Sequence, residues 1–137
     1  MTDPADLSAT EARALIGRRA LSPVELTEAC IARMHLVNPA VNAVICTRED
    51  QMLAEARASE ARQMSGAPLG AVEGLPFGVK DMINVKGMPT TFGSLIHKDN
   101  IAPSDDPIVA AMRAAGGVVL GKTNNPEFSL GGNTRNA

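Results

Sequence analysis

The sequence predicts an α/β fold, in which N-terminal helices are followed by the start of a sheet flanked by helices. In the first half of the chain, capping signals precede segments whose apolar residues have helical spacing. After Gly70, glycine and proline become frequent, and the apolar segments become as short as strands. The second half then reads as strand, loop, helix and strand, which is one α/β crossover unit.

Two capping signals begin the first helices. Ser8 and Glu11 have the spacing of a capping box ahead of a short helical segment. Ser22 and Glu25 repeat this spacing around a proline at the first helical position, and an amphipathic segment follows. The dipeptide Asn-Pro at 38–39 is expected to end that helix, because a residue before proline disfavours helical backbone angles.

A short strand and a long helix complete the first half. Residues 41–46 are apolar and partly β-branched, which favours a strand. Thr47 is expected to cap an alanine-rich helix over residues 48–64, which the run Ser-Gly-Ala-Pro then ends. We therefore interpret residues 1–66 as a helical lead-in and residues 67–137 as the start of the α/β core.

The second half predicts two strands that a helix connects. Residues 77–79 have the pattern of a buried strand, and residues 83–94 that of an ordered loop or small hairpin. Ser104 is expected to cap a helix that ends at two glycines, and residues 118–120 form the next strand. One crossover supplies only two parallel strands, with both edges open. We therefore expect the sequence to stop in the middle of a domain.

Composition excludes several function classes. The chain has 137 residues, a net charge of −2 and only 2% aromatic residues. The sequence therefore predicts neither a basic surface that would bind the phosphates of a nucleic acid nor aromatic side chains that would stack on its bases. The N-terminus lacks the basic start and apolar run of a signal peptide, and no apolar run is long enough to span a membrane. We expect a cytoplasmic protein that binds neither nucleic acid nor membrane.

The cysteines and histidines predict neither a disulfide framework nor a metal site. Cys30 and Cys46 do not form a CxxC pair, and we expect both to be buried small side chains in a reducing compartment. His35 and His97 are isolated from other residues at a metal-ligand spacing.

One motif resembles a phosphate-binding loop in its letters only. Gly116, Gly121, Lys122 and Thr123 satisfy the pattern GxxxxGK[ST]. In such a loop, the four residues between the glycines are exposed between a strand and a helix. Here they are Gly-Val-Val-Leu, which favours a strand, and the predicted helix comes before them. Lys122 and Thr123 are expected to serve local structure, and an NTPase is not favoured.

The segment at 74–81, GLPFGVKD, is the stronger chemical signal. Lys80 ends its apolar strand, and we expect this lysine to enter the core. Burial disfavours the charged form of a lysine, so a buried lysine can act as a base near neutral pH. The alternative, which the residues alone favour, is that Lys80 pairs with Asp81 or another acid at the strand end.

Four linked motifs resemble the amidase signature family in order and spacing. They are GLPFGVKD at 74–81, GMPTTFGS at 87–94, AAGG at 114–117 and GKTNNPEF at 121–128. The ending GNTRN at 132–136 is also similar to that family, and more to its general amidases. The likeness covers at least residues 70–137, and the N-terminal helices are compatible with it. It implies an amidase signature-type core, incomplete here, that begins a mixed sheet.

The resemblance implies an amidase that uses a Ser–cis-Ser–Lys triad without metal or cofactor. Lys80 matches the unprotonated lysine of the family, which activates a serine nucleophile through a bridging serine. Thr90, Thr91, Gly93 and Ser94 would form a loop that supports the active site. The residues that would line the acyl pocket, and so bind substrate, are Phe128, Ser129, Leu130 and Gly131.

The family's Gly/Ser-rich run, which supplies both serines, lies beyond residue 137. Ser94, Ser104 and Ser129 do not match it, so the chain alone is expected to be inactive. Its expected partners are a small amide substrate and the remainder of the amidase domain, and a homodimer is compatible with the sequence. One alternative is the A subunit of a tRNA-dependent glutaminyl/asparaginyl amidotransferase. Another is a non-catalytic interaction module that docks through an exposed sheet edge.

Overall fold

The computed structural model describes residues 3–136 and confirms the α/β class. Its helices are α1 (Ala9–Gly17), α2 (Pro23–Val41), α3 (Glu49–Ser65) and α4 (Pro107–Ala114). Its strands are β1 (Val44–Cys46), β2 (Pro76–Lys80) and β3 (Val118–Thr123). Short 3₁₀ turns lie at Pro4–Asp6, Leu95–His97 and Glu127–Ser129.

Both predicted capping boxes are present. In each, the serine hydroxyl accepts the backbone N–H three residues later, at 3.2 Å for Ser8 and Glu11 and at 3.3 Å for Ser22 and Glu25. The Ser22 hydroxyl also donates to Glu60 on α3, at 2.5 Å. The second cap therefore fixes the start of α2 against a neighbouring helix as well as satisfying an N–H that the helix leaves free.

The expectation that Asn38 and Pro39 end α2 is wrong. The helix runs on to Val41, and Asn42 ends it with a left-handed backbone at φ 46°. Pro39 lacks the N–H that would bond to the carbonyl of residue 35, but only two helical residues follow it, so the break is confined to the last turn. The Asn38 side chain also exchanges two hydrogen bonds with the backbone of Val44, at 2.7 and 2.8 Å. The last turn of α2 thereby sets where β1 begins.

The expected caps Thr47 and Ser104 are also wrong. The residue at the start of α3 is Arg48, which makes no side-chain capping bond. For α4 it is Asp106, whose carboxylate accepts the backbone N–H of Asn84 at 2.8 Å instead of capping the helix. Several N–H donors compete for a side-chain oxygen at a helix start, and here the N–H of Asn84 in a distant loop binds the Asp106 carboxylate.

The sheet is mixed, with strand order β1-β3-β2. The predicted crossover is confirmed, since β2 and β3 pair in parallel. β1, which lies within the helical lead-in, pairs antiparallel with the other side of β3. Leu120 is an extra residue in the register between β2 and β3, and a Cβ on the next residue, Gly121, would lie 2.4 Å from the Cys46 carbonyl oxygen. Glycine there allows β1 to approach β3.

Helices and loops cover the two faces of the sheet. Val118 packs against α3 through Met52 and Ala56. Val119 points to the opposite face, as the alternation of a strand requires, and packs there against the connection after β2 and against α4. A third cluster joins α1 to α2 through Ala12, Ile16, Leu21 and Leu26.

The two cysteines are free and half-buried, which is less burial than expected, and burial raises the pKa of both thiols. Among residues 3–136, no helix combines the length and the apolar character needed to cross a membrane.

Candidate functional site

The candidate site lies where β2 and β3 end. Lys80 is the last residue of β2 and stands opposite Thr123, the last residue of β3. The next backbone N–H, that of Asp81, donates to the Thr123 carbonyl at 3.0 Å and so continues the pairing past the strands. In α/β sheets, ligands bind outside the carboxyl ends of parallel strands, and Lys80 lies at that edge.

Lys80 is exposed, so the expectation that it enters the core is wrong for this chain. The physical reason is that its side chain points to the face opposite that of the buried Val79 and Asp81, and residues 3–136 do not cover that face at Lys80. The ion pairs and side-chain hydrogen bonds within residues 3–136 leave the Lys80 ammonium unengaged. The ammonium is therefore available to contact groups that this part of the chain does not supply.

The alternative in which Lys80 pairs with Asp81 is also wrong. Successive side chains of a strand point to opposite faces, and Asp81 turns away from Lys80 into the interior, where it is fully buried. Its carboxylate lies 3.5 Å from the ammonium of Lys122 on β3. Lys122 is itself fully buried, so the two form an ion pair inside the protein beside the strand end.

The buried ammonium of Lys122 has three hydrogen-bond acceptors. It donates to the carbonyl oxygens of Ile83 at 2.7 Å and Pro89 at 3.0 Å, and to the Thr90 hydroxyl at 2.9 Å. These use all three donors of an ammonium group. Burial lowers the pKa of Lys122, whereas the neighbouring Asp81 carboxylate acts in the opposite direction.

Asp81 also holds the loop over residues 90–94. Its carboxylate accepts the backbone N–H groups of Thr91 at 3.0 Å and Gly93 at 3.4 Å, as well as the Thr91 hydroxyl. Its carbonyl oxygen accepts the N–H of Phe92 at 2.9 Å. The loop that the sequence predicts to support the site is therefore attached to the residue that follows Lys80.

The turn at Glu127–Ser129 joins the same assembly. Phe128 donates its N–H to the Phe92 carbonyl at 2.7 Å, and the buried Ser94 donates its hydroxyl to Glu127 at 2.7 Å. Ser129 accepts a hydrogen bond from the Asn125 side chain at 3.0 Å. Two of the four residues predicted to bind substrate are thus anchored beside the loop.

The other two predicted substrate-binding residues are not packed. Leu130 is 78% exposed, and a Cβ on Gly131 would meet no atom within 4 Å. Hydrogen bonds through the loop connect Phe128 to the residue after Lys80, and Ser129 is held beside it, whereas Leu130 and Gly131 are exposed. Their role in binding substrate stays a prediction.

A cleft of about 240 Å³ opens between this loop and β1. Near it, the Asn136 side chain donates to Asn124 Oδ1 at 2.5 Å and to the Asn125 carbonyl at 2.8 Å. The last described residue therefore lies against the site. The cleft is lined by Asn42, Ile45, Thr91, Gly93, Ser94, Leu95, Lys98, Asn124 and Asn136.

We expect Gly93→Ala to lower the free energy of unfolding by about 1–3 kcal/mol. Gly93 has φ +65°, which strains any other residue, and an added Cβ would lie 2.8 Å from the Asn125 carbonyl oxygen. Urea denaturation measures the effect. Gly132→Ala is the matched control, because an added Cβ there meets nothing within 4 Å. Equal stability of the two variants would show that the loop tolerates the added methyl group.

The phosphate-loop pattern has the wrong structure for binding phosphate. Residues 118–120, which such a loop would expose, lie in β3, and the motif lysine is buried. Lys122 lies inside β3, whereas the sequence predicts that it follows the strand.

Sequence reasoning missed the ion pair of Asp81 and Lys122. A signal was present, because Lys122 stands two residues after a run of three apolar residues, within what proves to be one strand. A lysine in a strand that is buried on both faces needs a buried partner.

Comparisons with known proteins agree with these motifs. A family model described as Amidase matches residues 25–137. An acylamidase of Rhodococcus erythropolis is 43% identical over 130 residues, which are 95% of this chain and 27% of the relative. The A subunit of the glutamyl-tRNA(Gln) amidotransferase of Salinispora arenicola is 43% identical over 134 residues, or 98% of this chain and 27% of that relative.

The fold agrees as well. The crystal structure of a bacterial aryl acylamidase of the amidase signature enzymes superposes with a TM-score of 0.86 at 31% identity. The match covers 93% of this chain and 27% of that one. The chain therefore spans about a quarter of the length of the proteins that it matches.

Proposed function

The chain belongs to the amidase signature family, and from this we propose that it is the N-terminal part of an enzyme that hydrolyses a carboxylic amide. Lys80 would be the base of a Ser–cis-Ser–Lys triad, and both serines would lie in the part of the protein that follows. We call this protein the longer enzyme. Its proposed location is the cytoplasm.

The observation that carries the proposal is the position of Lys80. Its ammonium is exposed at the carboxyl end of β2, beside a loop that a buried carboxylate holds in place. A lysine acts as a base only when it is neutral, and burial favours the neutral form. We infer that the segment with the two serines covers Lys80 in the longer enzyme, which would bury its amine and place it beside the bridging serine.

The proposed reaction is an acyl transfer in two stages. Neutral Lys80 would accept a proton from the bridging serine, which would take one from the nucleophilic serine as its oxygen attacks the amide carbonyl. The tetrahedral intermediate would expel the amine, protonated by the same relay, and leave an acyl-enzyme. Water, activated by Lys80 through the bridging serine, would then release the carboxylic acid.

We infer that Ser94, Ser104 and Ser129 do not substitute for the serines of the triad. Ser94 is buried and donates to Glu127, and Ser129 is engaged with Asn125. Ser104 is exposed in the segment before α4. We therefore propose that the 137-residue chain alone is inactive.

An assay of ammonia release from short carboxylic amides tests the proposed function. The longer enzyme should hydrolyse them in the presence of EDTA, and mass spectrometry after an acid quench should find an acyl group on a serine. The 137-residue chain is the control and should release no ammonia. Failure to hydrolyse any amide, or loss of activity with EDTA, would contradict the proposal.

A second candidate is the A subunit of a tRNA-dependent amidotransferase. The 43% identity to one such protein over 98% of this chain favours it as strongly as the acylamidase is favoured. Glutamine as the preferred amide in the same assay would support this candidate. A folded 137-residue gene product that binds a protein and hydrolyses nothing would instead support an interaction module.

A further inference from the structure

The buried ion pair of Lys122 and Asp81 lies next to Lys80, the residue that we propose as the base, on the interior side of the strand end. Lys122 is on β3 opposite Val79, one residue before Lys80, and Asp81 is one residue after it. Both charged side chains are completely shielded from solvent. The two charged residues therefore contact the end of β2 on its buried side, one opposite the residue before Lys80 and one directly after Lys80.

The pair ties together several segments that are separate in sequence. Lys122 binds carbonyl oxygens of Ile83 and Pro89, near the start and the end of the connection that follows β2. Asp81 binds Thr91 and Gly93 at the turn that comes next. The side-chain hydrogen bonds of the pair thus go to the connection after β2 and to the loop at 90–94 that follows it.

Sheet stability alone does not account for this pair. Removing two charges from water costs several kcal/mol for each ion, and well-packed apolar residues often replace a buried pair without loss. The neighbouring positions Val79 and Val119 are buried and apolar, as the interior of this sheet requires. What apolar residues would not reproduce is the set of directed hydrogen bonds to the loop.

We propose that Lys122 is a positioning residue, which through Asp81 holds Lys80 and the loop at 90–94 in a fixed relative arrangement. The inference rests on the proposed function, since it assigns Lys122 to the amide-hydrolysing site. Lys122 does not contact substrate. It acts through Asp81, whose backbone N–H and carbonyl bind Thr123 and Phe92 on either side of the Lys80 strand end.

The test is Lys122→Met in the longer enzyme, which keeps an unbranched side chain shorter by the ammonium group and so removes its donors. We expect kcat per active site to fall about 10²-fold, because small displacements of a reacting group cost that much. KM should change less than about threefold, since Lys122 does not touch substrate. The folded fraction of each preparation, measured by gel filtration and circular dichroism, normalises kcat, so a loss of folded protein is not counted as a loss of turnover.

Two further variants keep the test decisive. Lys86→Met is the matched control, because Lys86 is an exposed lysine on the same connection. Lys122→Met/Asp81→Asn removes both charges, so no unpaired carboxylate opposes folding, and it should retain the low kcat. A normal kcat per active site in either Lys122 variant would overturn the inference, and so would the failure of both to fold, which would make Lys122 purely structural.

The controls separate this inference from the proposed function. An inactive wild-type enzyme, or an active Lys80→Ala variant, would overturn the proposed function and the inference with it. If Lys80→Ala is inactive and Lys122→Met has a normal kcat, the inference is overturned and the proposed function stands.

Discussion

Lys80→Ala should lower kcat/KM for amide hydrolysis by the longer enzyme between about 10²- and 10⁴-fold, the contribution that a positioned base makes. Alanine removes the amine that would take the proton from the serine relay. The fold should persist, because the Lys80 side chain is exposed and the hydrogen bonds around it come from backbone atoms and from Asp81. Initial rates of ammonia release measure the effect.

Lys86→Ala is the control for this result, since it removes an exposed lysine six residues along the same connection. Its rates should equal those of the wild-type enzyme. Far-UV circular dichroism of both variants should match the wild-type spectrum. If Lys80→Ala keeps more than about a tenth of the wild-type kcat/KM, a loss too small for a general base, then another group is the base.

The sequence predicts those parts of the fold that local interactions decide. The capping boxes at Ser8 and Ser22 each lie within four residues, and both form. The predicted cap at Ser104 fails, and Asp106, which begins α4 instead, accepts the N–H of the distant Asn84 and does not cap the helix. Thr47 fails as well, and Arg48, which takes its place, makes no side-chain capping bond. Local spacing contains no information about a loop that is more than twenty residues away.

The same distinction applies to the strands. The short apolar runs locate β2 and β3, and the helix between them predicts their parallel pairing. The order of the sheet could not be predicted in this way, because β1 joins β3 from the lead-in and depends on a close approach at Gly121. The only sign of this backbone contact in the sequence is the glycine itself, and a glycine has many other possible roles.

At the candidate site, the motif correctly predicts that Lys80 lies at a strand end. The prediction that Lys80 is buried is wrong. Burial depends on what covers the edge of the sheet, and residues 3–136 do not cover this edge at Lys80. The partner of Asp81 was missed for a related reason. The extra residue at Leu120 shifts the register and places Lys122 opposite Val79, and register is a property of two strands together.

The second large effect concerns stability. Asp81→Asn in the longer enzyme should lower the free energy of unfolding at pH 7 by about 3–5 kcal/mol, the cost of removing one partner of a buried ion pair. The amide keeps the shape of the side chain, and it leaves the Lys122 ammonium without its carboxylate. Urea denaturation followed by circular dichroism measures the difference. Asp99→Asn, an exposed aspartate near the same loop, is the matched control and should be neutral.

The deficit of Asp81→Asn should shrink as the pH rises toward 10.5, the usual pKa of a lysine. Burial lowers the pKa of Lys122 in the folded protein, so between that value and 10.5 the unfolded chain binds more protons and stability rises with pH. Removing Asp81, which opposes the shift, lowers the pKa further and makes this rise steeper in the variant. Cys46 and Asp106, which also favour the charged lysine, remain in both proteins. A deficit that is the same at pH 7 and pH 10 would mean that the charge of Asp81 does not affect the protonation of Lys122. The stabilisation by Asp81 would then come from its hydrogen bonds with the loop.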